Sequence, residues 1–509
     1  MVGFITWVWL AGILLSSGPA SAADRPANQV PRLLILSSMI GYVEPCGCTI
    51  DLLLGGLARI ASVIEEERRH GPTEVLLVGP HLFEKKAPAH RIAQEKAKAR
   101  LLARAFSHLK VNAGLGSENE LFYGLDAYQD LTQGWKFDDV AVNRAGGRGR
   151  LIQLGAHTIG IIGIGGPGKK TPRGHLKPID DKTLEKIANT LRQDGAQAIV
   201  ALSTLSRLEL RRLARRVKGI DLWILGDHPQ ENDTVSPAGD SFIIEAGDRG
   251  RNVGRIRLYH LDKAGPLVDP IGHFKREQKR LNTRRTYLTD MYKRTKSPFL
   301  KTQLDQVQTQ INTLKAPTGQ GKRFDYTLIP VKKDIKRHAP IAGWVDTYNA
   351  SLKKLNLASA GEIKPVKPGE SGYVGDAECA DCHPDAKAFW DRTKHAKAWQ
   401  TLVDADKTFD AECVECHVTG WQRPGGSILG QVNHLTNVQC EVCHGPGSRH
   451  VEGGGAIAGD NPGEAALIKR TVPQALCETC HNQHHSPKFD YKTYMRKITG
   501  PGHPLRSEL

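Results

Sequence analysis

Eight of the ten cysteines in this 509-residue chain fall into four pairs after residue 375, and a histidine follows each pair at once. The pairs read Cys379-Ala-Asp-Cys382-His383, Cys413-Val-Glu-Cys416-His417, Cys440-Glu-Val-Cys443-His444 and Cys477-Glu-Thr-Cys480-His481. Two thiols at this spacing reach the two vinyl groups on one edge of a porphyrin. The next residue then lies under the ring, where its imidazole is the proximal ligand to iron. Zinc ribbons and disulfide frameworks also use paired cysteines, but neither requires a histidine directly after the second. With only 20 histidines in 509 residues, four such placements are not a chance pattern. The spacing predicts four c-type haems, attached through the eight cysteines and ligated by His383, His417, His444 and His481.

Six further histidines in this region are candidate distal ligands: His395, His434, His450, His484, His485 and His503. Two imidazoles on every iron would use four of them and leave no open coordination position, which suits electron transfer. A haem left five-coordinate would instead be open to a small molecule. From residue 372 to the end there are roughly 35 residues per motif, too few for a separate protein core around each haem. A mainly α-helical and loop domain is expected, with the porphyrins as its interior.

The residues around the motifs carry a resemblance. Trp390-Asp-Arg-Thr-Lys-His395 follows the first, Cys413-Val-Glu-Cys-His-Val-Thr-Gly420 holds the second, Cys440-Glu-Val-Cys-His-Gly-Pro-Gly-Ser-Arg-His450 the third, and Cys477-Glu-Thr-Cys-His-Asn-Gln-His-His485 the fourth. Over 372–509 the chain resembles the tetrahaem cytochrome c family typified by the electron carrier of ammonia-oxidising bacteria. The resemblance implies electron transfer and points to His395 and His450 as distal ligands. Where the family tends to place His-Gly soon after a stretch like Tyr494-Met-Arg-Lys-Ile498, this chain delays the histidine to His503.

The first residues form an apolar run followed by small residues, with Ala20-Ser21-Ala22 as a cleavage site. That pattern predicts a signal peptide over 1–22 and a periplasmic mature protein. No later segment is apolar for long enough to span a membrane. The formal net charge is +16. Eight propionates on four haems would cancel up to about half of it. No nucleic-acid motif accompanies the charge, so redox partner proteins, acidic ones among them, are expected rather than nucleic acid.

Between residues 31 and 262, apolar strands alternate with helix-patterned segments. The strands are read at Leu33–Ser37, Val75–Val78, Thr158–Ile164, Ala198–Leu202, Leu222–Leu225 and Ser241–Ala246, and the helices at Leu57–Arg69, Ile92–Leu109 and Leu184–Gln193. The order predicts an α/β layered domain, helices covering a sheet. Gly55-Gly-Leu-Ala-Arg59, Asp221-Leu-Trp-Ile-Leu-Gly-Asp-His228 and Ala246-Gly-Asp-Arg-Gly-Arg-Asn-Val-Gly-Arg255 give this region a resemblance to calcineurin-type metallophosphoesterases of the 5′-nucleotidase kind. That family implies a two-metal site, whose residues are missing here. Ser38-Met-Ile40 stands for its Asp-x-His, His81 falls near its bridging Asp, Gly116-Ser-Glu-Asn-Glu120 replaces its Asn-His, Thr204 replaces a His, and only Gly226-Asp227-His228 remains near its final Gly-His. No manganese or zinc pair is expected, because two-metal chemistry needs several ligands converging on both ions.

Glu44-Pro-Cys46-Gly-Cys48 opens this domain. Cys46 and Cys48 are open to a disulfide, a metal site or reactive thiols. Gly163-Ile-Gly-Gly-Pro-Gly-Lys-Lys-Thr171 reads as a Gly-rich turn, since Lys170 holds the Ser/Thr position of a phosphate loop and Pro172 opposes a following helix. Residues 272–316 predict a helical hairpin on the seam Leu300, Leu304, Val307, Ile311 and Leu314, with a cationic outer face. The expected order is therefore a leader, an α/β domain over 31–350, a linker over 351–371 and the cytochrome region over 372–509. Two rival functions remain. One is an active 5′-nucleotidase-like hydrolase fused to a cytochrome; the other is a multihaem oxidoreductase acting on a nitrogen or sulfur compound.

Overall fold

The computed structural model describes residues 30–46, 53–111, 113–226, 231–315, 321–455, 468–469, 471–482, 485–486, 488–501 and 503. The expected leader and its cleavage site lie outside the described residues. The first strand, Arg32–Ser37, is buried along its whole length, and its side chains divide by parity. Leu33 and Ile35 join one apolar cluster and Leu34 and Leu36 another, as the two-residue period of a strand requires. A strand buried on both faces must be an inner layer.

There are two such layers. The first six-stranded sheet runs, edge to edge, Arg323–Pro330, Asn252–Tyr259, Arg32–Ser37, Thr73–Val78, Ala113–Leu115 and Asp138–Asp139. The second runs Ser236–Ala238, Ser241–Glu245, Leu222–Leu225, Ala198–Ser203, His157–Ile164 and Arg150–Leu154. Most inner strands pair in parallel, but Asn252–Tyr259 is antiparallel to both of its neighbours. Leu33, Ile35, Leu76 and Val78 of the first sheet share a cluster with Ile159, Ile161, Val200, Leu202 and Ile224 of the second. Leu57–Arg69, Ile92–His108 and Ala339–Leu357 cover the outer face of the first sheet, and Asp181–Gln193 and Arg207–Arg216 that of the second. The expected α/β layering is present, with two sheets between the helices where the sequence pattern indicates one.

The hairpin is formed by Pro270–Thr295 and Pro298–Thr313, closed on Leu281, Leu288 and Val307. Past it the chain returns as strand Arg323–Pro330 at the edge of the first sheet. The Gly-rich stretch after Ile164 leads into the two-residue strands Lys170–Thr171 and Gly174–His175, with no helix behind it.

The expected linker differs from the structure at its start. Ala339–Leu357 is one helix that runs past residue 351, burying Leu352 and Asn356. Its neighbouring Lys353 and Lys354 face solvent, and it is this outer face of an amphipathic helix that has the composition of a linker. Beyond it come short helices joined by loops, among them Asp376–Cys382, Ala411–His417, Cys440–His444, Gln474–Glu478 and Tyr491–Ile498. Their own apolar cluster is small, built on Leu402, Ala411, Val414, Val418 and Leu429. No described helix is long and apolar enough to cross a membrane.

Candidate haem centres and the neighbouring α/β surface

Three attachment pairs lie on short helices, Asp376–Cys382, Ala411–His417 and Cys440–His444, and the fourth begins on Gln474–Glu478. One helical turn brings a cysteine and the cysteine three residues later to one side. All eight cysteines are free thiols.

Three of the four motif histidines have a hydrogen-bond partner on Nδ1. His417 Nδ1 lies 2.6 Å from the Ala398 carbonyl oxygen, His444 Nδ1 2.6 Å from that of Lys469, and His481 Nδ1 2.9 Å from Ser486 Oγ. A carbonyl only accepts, so His417 and His444 donate from Nδ1, which leaves Nε2 as the ring nitrogen available to a metal. That is the tautomer a metal-binding imidazole uses. His383 is exposed.

The candidate distal histidines fall in different places. His395 faces His481 with ring centroids 6.0 Å apart, and His503 faces His444 at 6.1 Å. Two imidazoles sharing one metal through bonds of about 2 Å stand about 6 Å apart, centre to centre. The residues therefore fit the cofactor that the motifs imply. Burial, with His481 opposite, holds the His395 imidazole below its ordinary pKa. Burial does the same for His481 and, with His444 beside it, for His503. The neutral ring is the ligating form. His434 lies against Gly375 at the start of the first motif's helix. That glycine has φ 90°, and a Cβ there would come within 2.7 Å of the His434 ring. His485 is held low by burial, with Arg249 and His417 in electrostatic range. His450 sits half-buried in Ser448–Glu452 and makes no ring contact with another histidine among the described residues. His484 lies outside the described residues.

Contacts between the motifs do not follow chain order. Cys379 hydrogen-bonds Cys440 and Cys480 hydrogen-bonds Cys416, while Cys443 has Cys477 and Cys480 in electrostatic range. In space the attachment sites run first, third, fourth, second. The second abuts the α/β domain.

On that domain, the positions where the resemblance would put a metal pair are built differently. Ser38 and Ile40 adopt left-handed φ of 41° and 40°, a strained backbone for a β-branched residue. His81 is buried against Phe106 and Phe137 with both ring nitrogens unpartnered, and burial pushes its pKa down to about 3. Its backbone N–H donates to Glu120 Oε1 at 2.6 Å, and burial raises that carboxyl to about 7. Asn119 donates its amide to the carbonyls of Phe83 and Glu84. Nearby carboxylates are paired with guanidinium groups: Arg249 with Asp248 and Glu84, Arg251 with Asp248 and Glu231, Arg207 with Glu245. Ile40 has no donor atom and these carboxylates are held by guanidinium groups, so the described residues here do not suit a two-metal centre. Asp227 and His228 lie outside the described residues, as does Cys48; Cys46 stands in strand Pro45–Cys46, opposite Leu54–Gly55.

The chain joins a region that resembles c-type cytochromes to an α/β region that resembles calcineurin-type phosphoesterases. Residues 378–445 match the family described as Cytochrome c554 and c-prime. The chain is 31% identical to cytochrome c-554 of Nitrosomonas europaea over 144 residues, 23% of this chain and 61% of that protein. It is 32% identical over 124 residues to a snake venom 5′-nucleotidase of Gloydius brevicauda, 22% of this chain and 21% of that one. Among solved structures it is similar to the sulfate thiohydrolase SoxB of Thermus thermophilus, with TM-score 0.45 and 14% identity over 64% of this chain and 61% of that one. It is also similar to a 5′-nucleotidase precursor from Thermus thermophilus, with TM-score 0.45 and 16% identity over 69% and 63%. The chain thus spans 61% and 21% of the lengths of the two curated relatives.

Proposed function

We propose that this chain is an exported, periplasmic cytochrome that binds four c-type haems and transfers electrons, with its α/β domain serving as a non-catalytic platform. The observation that carries the reading is the facing of His395 with His481 and of His503 with His444 at 6.0 and 6.1 Å, each pair including one motif histidine. His383, His417, His444 and His481 are the proximal ligands. His395 serves the fourth site and His503 the third. His434 beside the first motif and His485 near His417 are the candidates for the other two. When bound, the haems would supply one-electron chemistry, and a second imidazole opposite His444 and His481 would leave those two sites closed to substrate.

A platform role is supported by Ser38, Ile40 and Thr204, which stand where metal ligands would be, and by the arginines paired to the surrounding carboxylates. The exposed cations at the hairpin tip, Lys293, Arg294, Lys296 and Lys301, suit an acidic redox partner. A pyridine haemochrome assay with metal analysis tests the reading. The expected result is four haems per chain, iron in the same ratio, and no stoichiometric manganese or zinc. Fewer than three haems per chain would overturn it.

A further inference from the structure

Helix Ile92–His108 of the α/β domain carries a polar stripe on one face. Arg91 at its N-cap, then Gln94, Glu95 and Lys98, follow the spacing of successive turns and are nearly all out of solvent. The stripe faces the turn that opens the second attachment motif. Arg91 pairs with Glu412 at 3.1 Å and Glu415 at 3.4 Å, and Lys98 with Glu412 at 2.7 Å. Gln94 donates to Asp410 at 2.6 Å and accepts from the Ala411 N–H at 3.1 Å. Asn356 of the Ala339–Leu357 helix donates to Gln94 at 2.6 Å and to the Phe409 carbonyl at 2.8 Å. Lys407, paired with Glu44, closes the far side. Glu412 directly precedes Cys413, and Glu415 directly precedes Cys416.

Buried ion pairs are a poor way to gain stability alone, since apolar packing of the same volume does as well. Charge held out of water does act strongly on a nearby one-electron equilibrium. The first motif also has acidic residues before its cysteines, Glu378 and Asp381, but neither forms an ion pair among the described residues, whereas the partly exposed Glu412 and Glu415 lie against the nearly buried Arg91 and Lys98. The third and fourth have Gln439, Val442, Leu476 and Thr479 in those places. Among the described residues, only the second site combines flanking carboxylates with cations from another domain.

We propose that the Ile92–His108 helix is a working part of the second haem site, with Arg91 and Lys98 as positioning residues that set its reduction potential by compensating Glu412 and Glu415. The proposal rests on the reading that Cys413, Cys416 and His417 hold a haem. Reduction adds one electron and no bond changes, so nearby positive charge favours the reduced form and negative charge the oxidised form.

The test is spectroelectrochemical titration of the full-length, haem-loaded protein and its variants, with an electrode as the electron source. Arg91→Gln removes a cation and should lower the potential of one haem. Glu415→Gln removes an anion and should raise the potential of the same haem. Each shift should correspond to a three- to tenfold change in the reduction equilibrium, tenfold being about 59 mV for one electron. Arg91→Lys keeps the charge and should hold the potential close to the wild-type value. A role in folding alone would not give opposite signs. If Arg91→Gln does not accumulate, the nearly isosteric Glu415→Gln at the rim decides alone. Unmoved potentials, shifts of the same sign, or equal shifts in every haem would overturn the proposal. A chain without haem would instead end the reading beneath it.

Discussion

The imidazoles of His395 and His481 stand 6.0 Å apart, although one follows the first attachment motif and the other ends the fourth. Replacing His395 by Ala should leave four haems attached, because the thioether cysteines are untouched, and should open one coordination position. Electron paramagnetic resonance of the oxidised protein should gain a high-spin signal equal to one haem. An unchanged low-spin spectrum would remove His395 from the ligand set.

Cys46 and Cys48 belong to no attachment motif. The double replacement Cys46→Ser, Cys48→Ser should keep the full haem count and an unchanged visible spectrum. Loss of one haem in that variant would mean that the amino-terminal cysteines share a centre with the cytochrome region.

Metal-bound hydroxide and charge neutralisation supply most of the acceleration in two-metal phosphoester hydrolysis. Ile40 offers no donor atom at all, and Arg249 and Arg251 already engage Asp248, Glu84 and Glu231. The full chain with added manganese should therefore show no metal-dependent turnover of nucleotides or an aryl phosphate. A rate above about 1 s⁻¹, ordinary for an enzyme, would restore the hydrolase reading.

His81 gives the α/β domain an acid sensitivity. Its folded pKa of about 3 lies below the unfolded value near 6.5, so between these limits the unfolded chain binds a proton that the folded chain refuses. The stability from keeping His81 neutral is fully present above pH 6.5 and is lost as pH falls towards 3. A His81→Leu variant lacks this loss. Relative to wild type it should gain about 3 kcal/mol between pH 7 and pH 4. Urea denaturation followed by circular dichroism at the two pH values measures it; a pH-independent difference would show that His81 accepts a proton in place.

Strong periodicity makes some elements readable from sequence alone. Leu57–Arg69 and Leu222–Leu225 have the bounds that their apolar patterns indicate. The doubling of the sheet is not readable, because an inner strand looks the same in either layer. Helix Arg207–Arg216 is missing from the sequence reading despite a signature in plain view, the capping box of Ser206 and Glu209. Strand Arg323–Pro330 alternates Phe324 with Tyr326, but it follows a long hairpin that draws attention to helix. Of the candidate site, the attachment residues are legible because covalent chemistry dictates their spacing. The facing of His503 with His444 is not, since loops whose course no local pattern sets bring them together. The stripe Arg91, Gln94, Glu95 and Lys98 has helical spacing, yet an isolated polar face is indistinguishable from one bathed in solvent until a second domain is placed on it.

The helix Ala339–Leu357 decides where this gene can be cut. Truncation at residue 350 would strip Leu352 from the outer core of the first sheet and Asn356 from its bonds to Gln94 and Phe409. The shortened fragment would carry a fresh apolar scar, and its Gln94 would lose a buried donor. A cytochrome fragment starting at 372 would in turn release Asp410, Glu412 and Glu415 from their partners on the α/β side. Each half would then report on a surface that does not exist in the whole protein. For expression, crystallography or domain swapping, the unit to move is the fused pair.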